Sequence, residues 1–224
     1  MLKVCAIMPT ADRARFIPQA LAGFLAQTYP EKTLVVLDNG RNLIQDFVPQ
    51  DDPRVLYHAL SWPAGQNIGQ LRNLACQLAP DDTDVFIHFD DDDWSQPARI
   101  ARQVEELEDR GVQVTGFHAI HFYRESDRSA WTYKNRAQHG VGASLCYRRG
   151  FWQDHPFPEQ GLIHDRGEDN GFMTTARQAQ AIGTSDGRGL LVARIHAASF
   201  HSNRPLTGNY VQVSLDELPE GFPR

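Results

Sequence analysis

The sequence predicts an α/β fold in which a mostly parallel central sheet is flanked by helices. A small antiparallel part is expected toward the C-terminus. In residues 1–110, short apolar runs typical of buried strands alternate with segments whose apolar residues recur at helical spacing. After residue 111 this alternation gives way to closely spaced strands and a long polar segment. We expect both parts to belong to one domain, because 224 residues suit a single α/β domain.

The first half contains four predicted strands and three predicted helices. Each strand is a short apolar run, and each helix has apolar residues three or four positions apart on one face. The strands are predicted at residues 4–8, 34–37, 55–57 and 85–89. The helices are predicted at residues 16–27, 68–78 and 97–110.

The second half is about residues 111–204. Its predicted elements are strands at residues 112–117, 120–123, 144–147 and 190–195 and a helix at residues 168–181. The polar segment 124–140 is predicted to be a mobile, irregular loop. The tail, residues 205–224, contains Pro219 and Pro223 and is predicted to be loosely held.

Composition narrows the class of protein. The formal net charge of -6 disfavours passive binding to bulk nucleic acid. No stretch is apolar for long enough to cross a membrane, and the first residues lack a signal-peptide layout. The three cysteines, Cys5, Cys76 and Cys146, lie in apolar stretches and are predicted to be buried free thiols. We therefore expect a cytoplasmic protein.

Four consecutive aspartates, Asp90 to Asp93, follow the predicted strand at residues 85–89. Carboxylates this close repel one another when ionised. One interpretation is a site for Mg²⁺ or Mn²⁺, because these cations prefer oxygen ligands and ligands bind at the carboxyl ends of parallel strands. The other is a solvated acidic turn that precedes the helix near Pro97. The tetrad alone does not decide between them.

Four segments of the sequence form a further pattern. The first is VCAIMPTADR, an opening strand and the loop after it. The second joins LAQTYP to LVVLDNG, and the third joins GQLRN to FDDDDW. The fourth is GEDNGF, an acidic pair at the start of a helix. These segments occupy residues 4–13, 25–40, 69–94 and 167–172, and in this order and spacing they resemble family 2 glycosyltransferases, which have the GT-A (Rossmann-like) fold. The resemblance implies a nucleotide-binding part at about residues 1–110 and an acceptor-side part at about residues 111–204.

The resemblance implies a metal-dependent enzyme. It would move a sugar from a nucleoside-diphosphate sugar to an acceptor hydroxyl, with inversion at the sugar, and would use Mn²⁺ or Mg²⁺. Asp92 and Asp90 correspond to the metal-binding D-x-D pair, and His196 is a further candidate ligand. Asp90 and Asp91 are also candidates to face the ribose. For Asp93 an alternative is that it caps the next helix.

The acidic pair Glu168 and Asp169 is the implied catalytic group. Asp169 is the expected base that removes the proton from the acceptor hydroxyl, and Glu168 is expected to orient it. The alternative is a structural role, because acidic residues at a helix N-terminus interact favourably with the helix dipole.

The nucleoside is expected at the ends of the first two strands, where Thr10 and Asp38 would bind the base or ribose. Ala11 replaces a tyrosine that frequently stacks on the base in this family, and Asn39 replaces the second acid of the turn. A UDP-sugar is therefore only the default donor, because an amide presents a donor as well as an acceptor.

Two arginines are further donor-binding candidates. Arg13 lies in the loop after the first strand. Arg72 is a candidate partner for Asp38 or for a phosphate, and the alternative is an ordinary ion pair between sheet and helix.

The acceptor is expected to be a glycan, a lipid-linked sugar or another hydroxyl compound. A modified DNA base is an alternative that the net charge disfavours. The polar segment 124–140 contains Trp131 and Tyr133 and would suit an acceptor lid or a solvated loop. The alternative functions are a metal-dependent nucleotidyltransferase and a non-catalytic module that binds sugar nucleotides or glycans. The first is weakened because the loop at residues 9–15 has no glycine.

Overall fold

A computed structural model of the protein describes residues 1–61, 65–135, 138–160, 167–199 and 206–223. In these residues one mixed sheet of eleven strands is packed against five α-helices. The strands are β1 (Val4–Thr10), β2 (Lys32–Asp38), β3 (Val55–Ala59), β4 (Val85–His88), β5 (Trp94–Ser95), β6 (Val114–Arg124), β7 (Ser129–Lys134), β8 (Cys146–Arg148), β9 (Ile182–Asp186), β10 (Leu191–Ile195) and β11 (Tyr210–Val213). The helices are α1 (Ile17–Leu25), α2 (Ile68–Gln77), α3 (Arg99–Asp109), α4 (Arg149–Asp154) and α5 (Glu168–Gln178).

The predicted fold class is confirmed. Strands β3, β2, β1 and β4 are neighbours in that order and pair in parallel. In the C-terminal half, β8 pairs antiparallel with β4 and β6, and β7 pairs antiparallel with β6 and β11. Strands β9 and β10 pair with β6 in parallel. The N-terminal half thus has the parallel pairing that alternating strands and helices predict.

Both faces of the parallel strands are buried, which explains their continuous apolar runs. On β1, Ala6 and Met8 pack in a core with α1 and α3, whereas Cys5 and Ile7 pack in a second core with α2 and α5. The three cysteines are free and buried, as predicted. No helix in the described residues combines the length and the apolar character that a membrane span requires.

The parallel pairing determines where the polar strand ends meet. Because β1 and β4 run in the same direction, the residues after Thr10 and after His88 emerge at the same edge of the sheet. The four aspartates therefore begin beside the loop that carries Arg13. The fully buried Arg99 braces this edge, because its guanidinium donates to the carbonyl oxygens of His88 and Ala143 at 2.7 and 2.9 Å.

The prediction of an irregular loop at residues 124–140 is wrong for residues 124–134, and residues 136–137 lie outside the described residues. Residues 114–124 form one long strand, and residues 129–134 return beside it as β7. The turn between them is closed by the Asp127 carboxylate, which accepts hydrogen bonds from Arg124 and from Ser129. Strand β7 is polar because one of its faces remains partly exposed, and polarity was what suggested a loop. Elements α4 and β9 were also not predicted.

The prediction of a loosely held tail is also wrong for its described part. Strand β11 pairs with β7, and Leu218 and Phe222 are only 4% and 6% exposed. The Phe222 ring packs edge-on against Tyr123 and Trp94, with ring centroids 5.3 and 6.0 Å apart. Two prolines near the end of the sequence suggested looseness, but the isolated apolar side chains of Leu218 and Phe222, each next to one of these prolines, anchor the segment.

Replacing this anchor should destabilise the whole domain. We expect Phe222→Ala to cost about 2–4 kcal/mol, because a buried aromatic ring is removed, and to lower the melting temperature by roughly 5–12 °C. The control is Phe47→Ala, since Phe47 is 48% exposed. Thermal unfolding measures both variants, and equal small shifts for the two would contradict the packed tail.

Candidate functional site

A cavity of about 990 Å³ opens at the carboxyl edge of β1 and β4. All four aspartates line it, together with the acidic pair Glu168 and Asp169 at the start of α5. It is also lined by three arginines, Arg13, Arg72 and Arg194. Two motifs that are about 75 residues apart in sequence therefore meet in one place, as the resemblance required.

Asp91 is the most buried aspartate of the tetrad, with 2% exposure. Its carboxylate accepts hydrogen bonds from the Thr10 hydroxyl at 2.5 Å and from Arg13 Nη1 at 2.8 Å. Burial raises the pKa of Asp91 to about 6, Arg13 opposes this increase and Asp92 adds to it. Asp91 therefore fixes the loop after β1 to the tetrad.

Asp92 is held through a single oxygen. Its Oδ2 atom contacts both Arg13 Nη1 at 3.1 Å and His196 Nε2 at 2.9 Å. The Nδ1 atom of His196 accepts a hydrogen bond from the Ala198 N–H, so in the neutral ring the proton is on Nε2 and points to Asp92. In this arrangement His196 orients Asp92, and ligation of a metal by Nε2 would require the other tautomer.

Asp90 and Glu168 share one buried cation, Arg72. The Nε atom of Arg72 donates to Glu168 Oε1 at 3.0 Å, and its Nη1 atom lies 3.6 Å from Asp90 Oδ1. Burial raises the pKa of Asp90, and the charge of Arg72 counteracts that increase. Arg72 thus forms an ion pair between helix and acids, and does not contact Asp38.

Asp93 points away from the next helix. Its Oδ1 atom accepts a hydrogen bond from the backbone N–H of Arg194 at 3.0 Å. Helix α3 begins after Ala98, without a side-chain cap. The alternative role of Asp93 as a helix cap is therefore wrong. Burial, followed by Asp92 and Asp90, raises the pKa of Asp93 well above its usual range.

Asp169 lies in the first turn of α5, next to Gly167, whose φ of 97° is readily available only to glycine. Its Oδ1 atom accepts the Asn170 N–H at 2.7 Å. Burial, followed by Glu168, raises the pKa of Asp169, and Arg72 opposes this. A Cβ atom at Gly142 would lie 2.1 Å from Asp169 Oδ2, so the loop after β7 packs directly against this carboxylate.

The residues predicted to bind the nucleoside have other surroundings. Asp38 is fully buried, and its carboxylate accepts hydrogen bonds from Gly40 N, Ile44 N and the Tyr57 hydroxyl at 2.8–3.0 Å. It therefore holds the turn after β2, and its contact with a nucleoside stays a prediction. The Thr10 hydroxyl is directed to Asp91. Thr10, Ala11, Asp38 and Asn39 do not line the cavity described above.

The carboxylates of the tetrad suit a cation whose other ligands are substrate phosphates and water. No hydrogen bond from the described residues reaches Asp92 Oδ1 or either side-chain oxygen of Asp90. Across the described ranges, no three His, Cys, Asp or Glu side chains form a group that could hold a metal ion. Mg²⁺ is typically bound by one or two carboxylates together with substrate phosphates and water. Asp90 and Asp92 match that pattern.

Sequence reasoning missed several residues of the cavity. Arg194 and Tyr210 line it from β10 and β11, and His139 and Met173 line it beside Asp169. Tyr210 was overlooked because it lies in the predicted loose tail. The only available signal was the Tyr-Val-Gln-Val sequence of β11, which has strand propensity.

Comparisons with solved structures agree with the fold. The domain of S. aureus TarS (residues 1–349) in complex with UDP-GlcNAc is 17% identical, with a TM-score of 0.71, 92% of this chain covered and 62% of that one. The mannosyltransferase PcManGT from Pyrobaculum calidifontis in complex with GDP-Man and Mn²⁺ is 15% identical, with a TM-score of 0.67, 89% of this chain covered and 59% of that one. The chain thus spans about 60% of the length of these structures.

A search of curated protein sequences gives no match. The model of glycosyl transferase family 2 matches residues 5–173, which is most of the chain and includes the four segments that carried the resemblance, apart from Val4. Since the family model, the GT-A neighbours and the meeting of the two acidic motifs agree, the chain belongs to glycosyl transferase family 2.

Proposed function

We propose that the protein is a metal-dependent glycosyltransferase that moves a sugar from a nucleoside-diphosphate sugar to an acceptor hydroxyl. The observation that carries this proposal is the content of the cavity. The cavity contains Asp90 and Asp92, which keep carboxylate oxygens that accept no hydrogen bond from the described residues. It also contains Asp169, a carboxyl group whose pKa is raised. A cation-binding pair and a base are the two functions that the reaction requires.

On the donor side, Asp90 and Asp92 would hold Mn²⁺ or Mg²⁺. When bound, the ion would stabilise the negative charge that grows on the departing diphosphate. The chain's own residues orient these ligands. His196 and Arg13 both contact Asp92 Oδ2, so Oδ1 remains available to the ion. Arg72 lies near Asp90. Held in this way, the two carboxylates need little reorganisation when a ligand arrives.

On the acceptor side, Asp169 would accept the proton of the attacking hydroxyl at Oδ2, which has no hydrogen bond from the described residues. Burial and Glu168 raise its pKa, so the carboxylate becomes a stronger base. Arg72 opposes that increase and keeps the group ionised more readily near neutral pH. Glu168 is itself paired with Arg72 and 5% exposed, which suits an orienting role.

The default donor is a UDP-sugar. TarS was solved with UDP-GlcNAc and with UDP, whereas PcManGT was solved with GDP-Man and Mn²⁺. Because Asn39 stands in place of an acid, experiment must decide which nucleobase the donor carries. A screen should therefore contain both uridine and guanosine nucleotides.

The first test is binding of nucleotide with and without metal. UDP, UDP-GlcNAc, GDP and GDP-Man are each added to the protein in a thermal unfolding assay, with Mn²⁺ or with chelator. We expect at least one nucleotide to raise the melting temperature only when Mn²⁺ is present, because a ligand that binds the folded state stabilises it.

Two variants connect this binding to the tetrad. Asp92→Asn should lose the Mn²⁺-dependent part of the stabilisation, because an amide is a poorer ligand for a hard cation. Asp51→Asn, at an exposed aspartate, should keep it. Equal stabilisation without Mn²⁺, or in Asp92→Asn, would count against the proposed metal site.

A second test concerns the base. Gly142→Ala places a Cβ atom 2.1 Å from the present position of Asp169 Oδ2, so the carboxylate must move. We expect kcat to fall roughly tenfold to a hundredfold, since a displacement of about 1 Å has this effect, with unchanged binding of UDP. Gly150→Ala is the control, because nothing lies within 4 Å of its added Cβ atom. Full activity in Gly142→Ala would remove Asp169 from the reaction.

A third test concerns stereochemistry. A base that activates the acceptor opposite the departing diphosphate implies direct displacement, and hence inversion at the anomeric carbon. NMR of the first glycoside formed from an α-linked UDP-sugar should therefore give the β anomer. An α product would overturn the single-displacement mechanism and the assignment of Asp169, while leaving the donor site intact.

A further inference from the structure

Three aromatic rings form one side of the cavity, away from the tetrad in sequence. They are Phe122 on β6, Tyr133 on β7 and Tyr210 on β11, and all three line the cavity that contains Asp169. Their ring centroids are 4.8 Å apart for the two tyrosines and 5.3 and 6.2 Å from Phe122 to Tyr210 and Tyr133. We call these three residues the aromatic wall. Tyr210 lies beyond the residues that the family model matches.

Packing and a hydrogen bond fix the rings of the aromatic wall. Phe122 is 6% exposed and supports the two tyrosines, which are only half-buried. The Tyr133 hydroxyl accepts a hydrogen bond from Asn135 Nδ2 at 2.8 Å, which fixes the ring. Strand β11 pairs with β7 directly at Tyr210 and Tyr133, so the two rings are neighbours across the sheet. A ligand that stacks here would therefore order little additional structure.

The charges of the cavity restrict what can stack. Its described lining contains six carboxyl groups, Asp90 to Asp93, Glu168 and Asp169, and three arginines, Arg13, Arg72 and Arg194. Each of these arginines lies within 4 Å of a carboxylate of the protein. An acceptor that carries many phosphates would meet an excess of negative charge. The site therefore favours an uncharged acceptor.

We propose that Tyr133 and Tyr210 form the stacking surface for the sugar ring of a neutral saccharide acceptor, with a ring hydroxyl directed to Asp169. This rests on the proposed function and specifies its acceptor class. The two tyrosine rings are tilted by 49° to one another, so the carbon-hydrogen face of a pyranose would stack on one ring while the other lies against its edge. The hydroxyls of the sugar match the polar groups of the same cavity. A nucleic-acid base would also stack, but its strand would bring phosphates toward the carboxylates.

The experiment uses the full chain with Mn²⁺ and a saturating amount of UDP. The probes are the methyl glycosides of glucose, galactose, mannose and N-acetylglucosamine, and binding is followed by saturation-transfer NMR. We expect at least one glycoside to bind, and Tyr210→Leu to weaken it about tenfold, because a stacking contact is lost. Tyr210→Phe should bind as the unchanged protein does. Val211→Ala, on the same strand at a side chain that is 63% exposed, is the matched control.

Several results would overturn the proposal. They are the absence of binding by all four glycosides, equal binding in Tyr210→Leu, or salt-sensitive binding of a ten-residue oligothymidylate that Tyr210→Leu abolishes. If Tyr210→Leu does not fold, Tyr133→Leu takes its place with the same expected loss. The Mn²⁺-dependent stabilisation by nucleotide distinguishes a failure of the acceptor class from a failure of the proposed function. If it persists without glycoside binding, only the acceptor class is wrong, and if it is absent as well, the proposed function fails.

Discussion

Crowded negative charge at the carboxyl edge of the sheet is the constraint on which the rest of the site depends. Buried carboxylates are tolerated only where cations and hydrogen-bond donors compensate them. Arg13 compensates Asp91 and Asp92, and Arg72 compensates Asp90 and Glu168. The buried Arg99 lies behind the tetrad. Its pKa is lowered to about 10 by burial, and the charges of Asp93 and Asp90 oppose that decrease.

Each of these arginines also joins parts of the chain that are distant in sequence. Arg13 connects the loop after β1 to the tetrad, and Arg72 connects α2 to the start of α5. Arg99 connects the end of β4 to the loop at residues 142–144. That loop is the one that packs against Asp169. Charge compensation thus places Asp169 relative to the tetrad. A bound divalent cation would add positive charge where the compensation is incomplete, so ligand binding and local stability should be coupled.

The N-terminal half and the acidic motifs could be predicted because their signals are local. An apolar run buried on both faces, a turn sequence and four adjacent acids are visible without knowledge of any partner. The role of Asp38 could not be predicted, since it depends on Tyr57 and Ile44, which come close only in the fold. Strand β7 alternates Ala130 and Thr132 with Trp131 and Tyr133, so its strand propensity was present in the sequence and was outweighed by polarity.

The tail joins the two sides of the cavity through packing. Tyr210 belongs to the aromatic wall, and Phe222, twelve positions later, lies against the Arg194 guanidinium at 5.3 Å. The backbone N–H of Arg194 donates to Asp93, so the tail contacts the acceptor side directly and the tetrad through one residue. Because Arg194 also contacts Glu125 and Gln19, its guanidinium is held from several sides. A segment outside the matched family region therefore positions groups on both sides of the cavity. Changes in such a segment can therefore alter one side of the cavity without changing the acids.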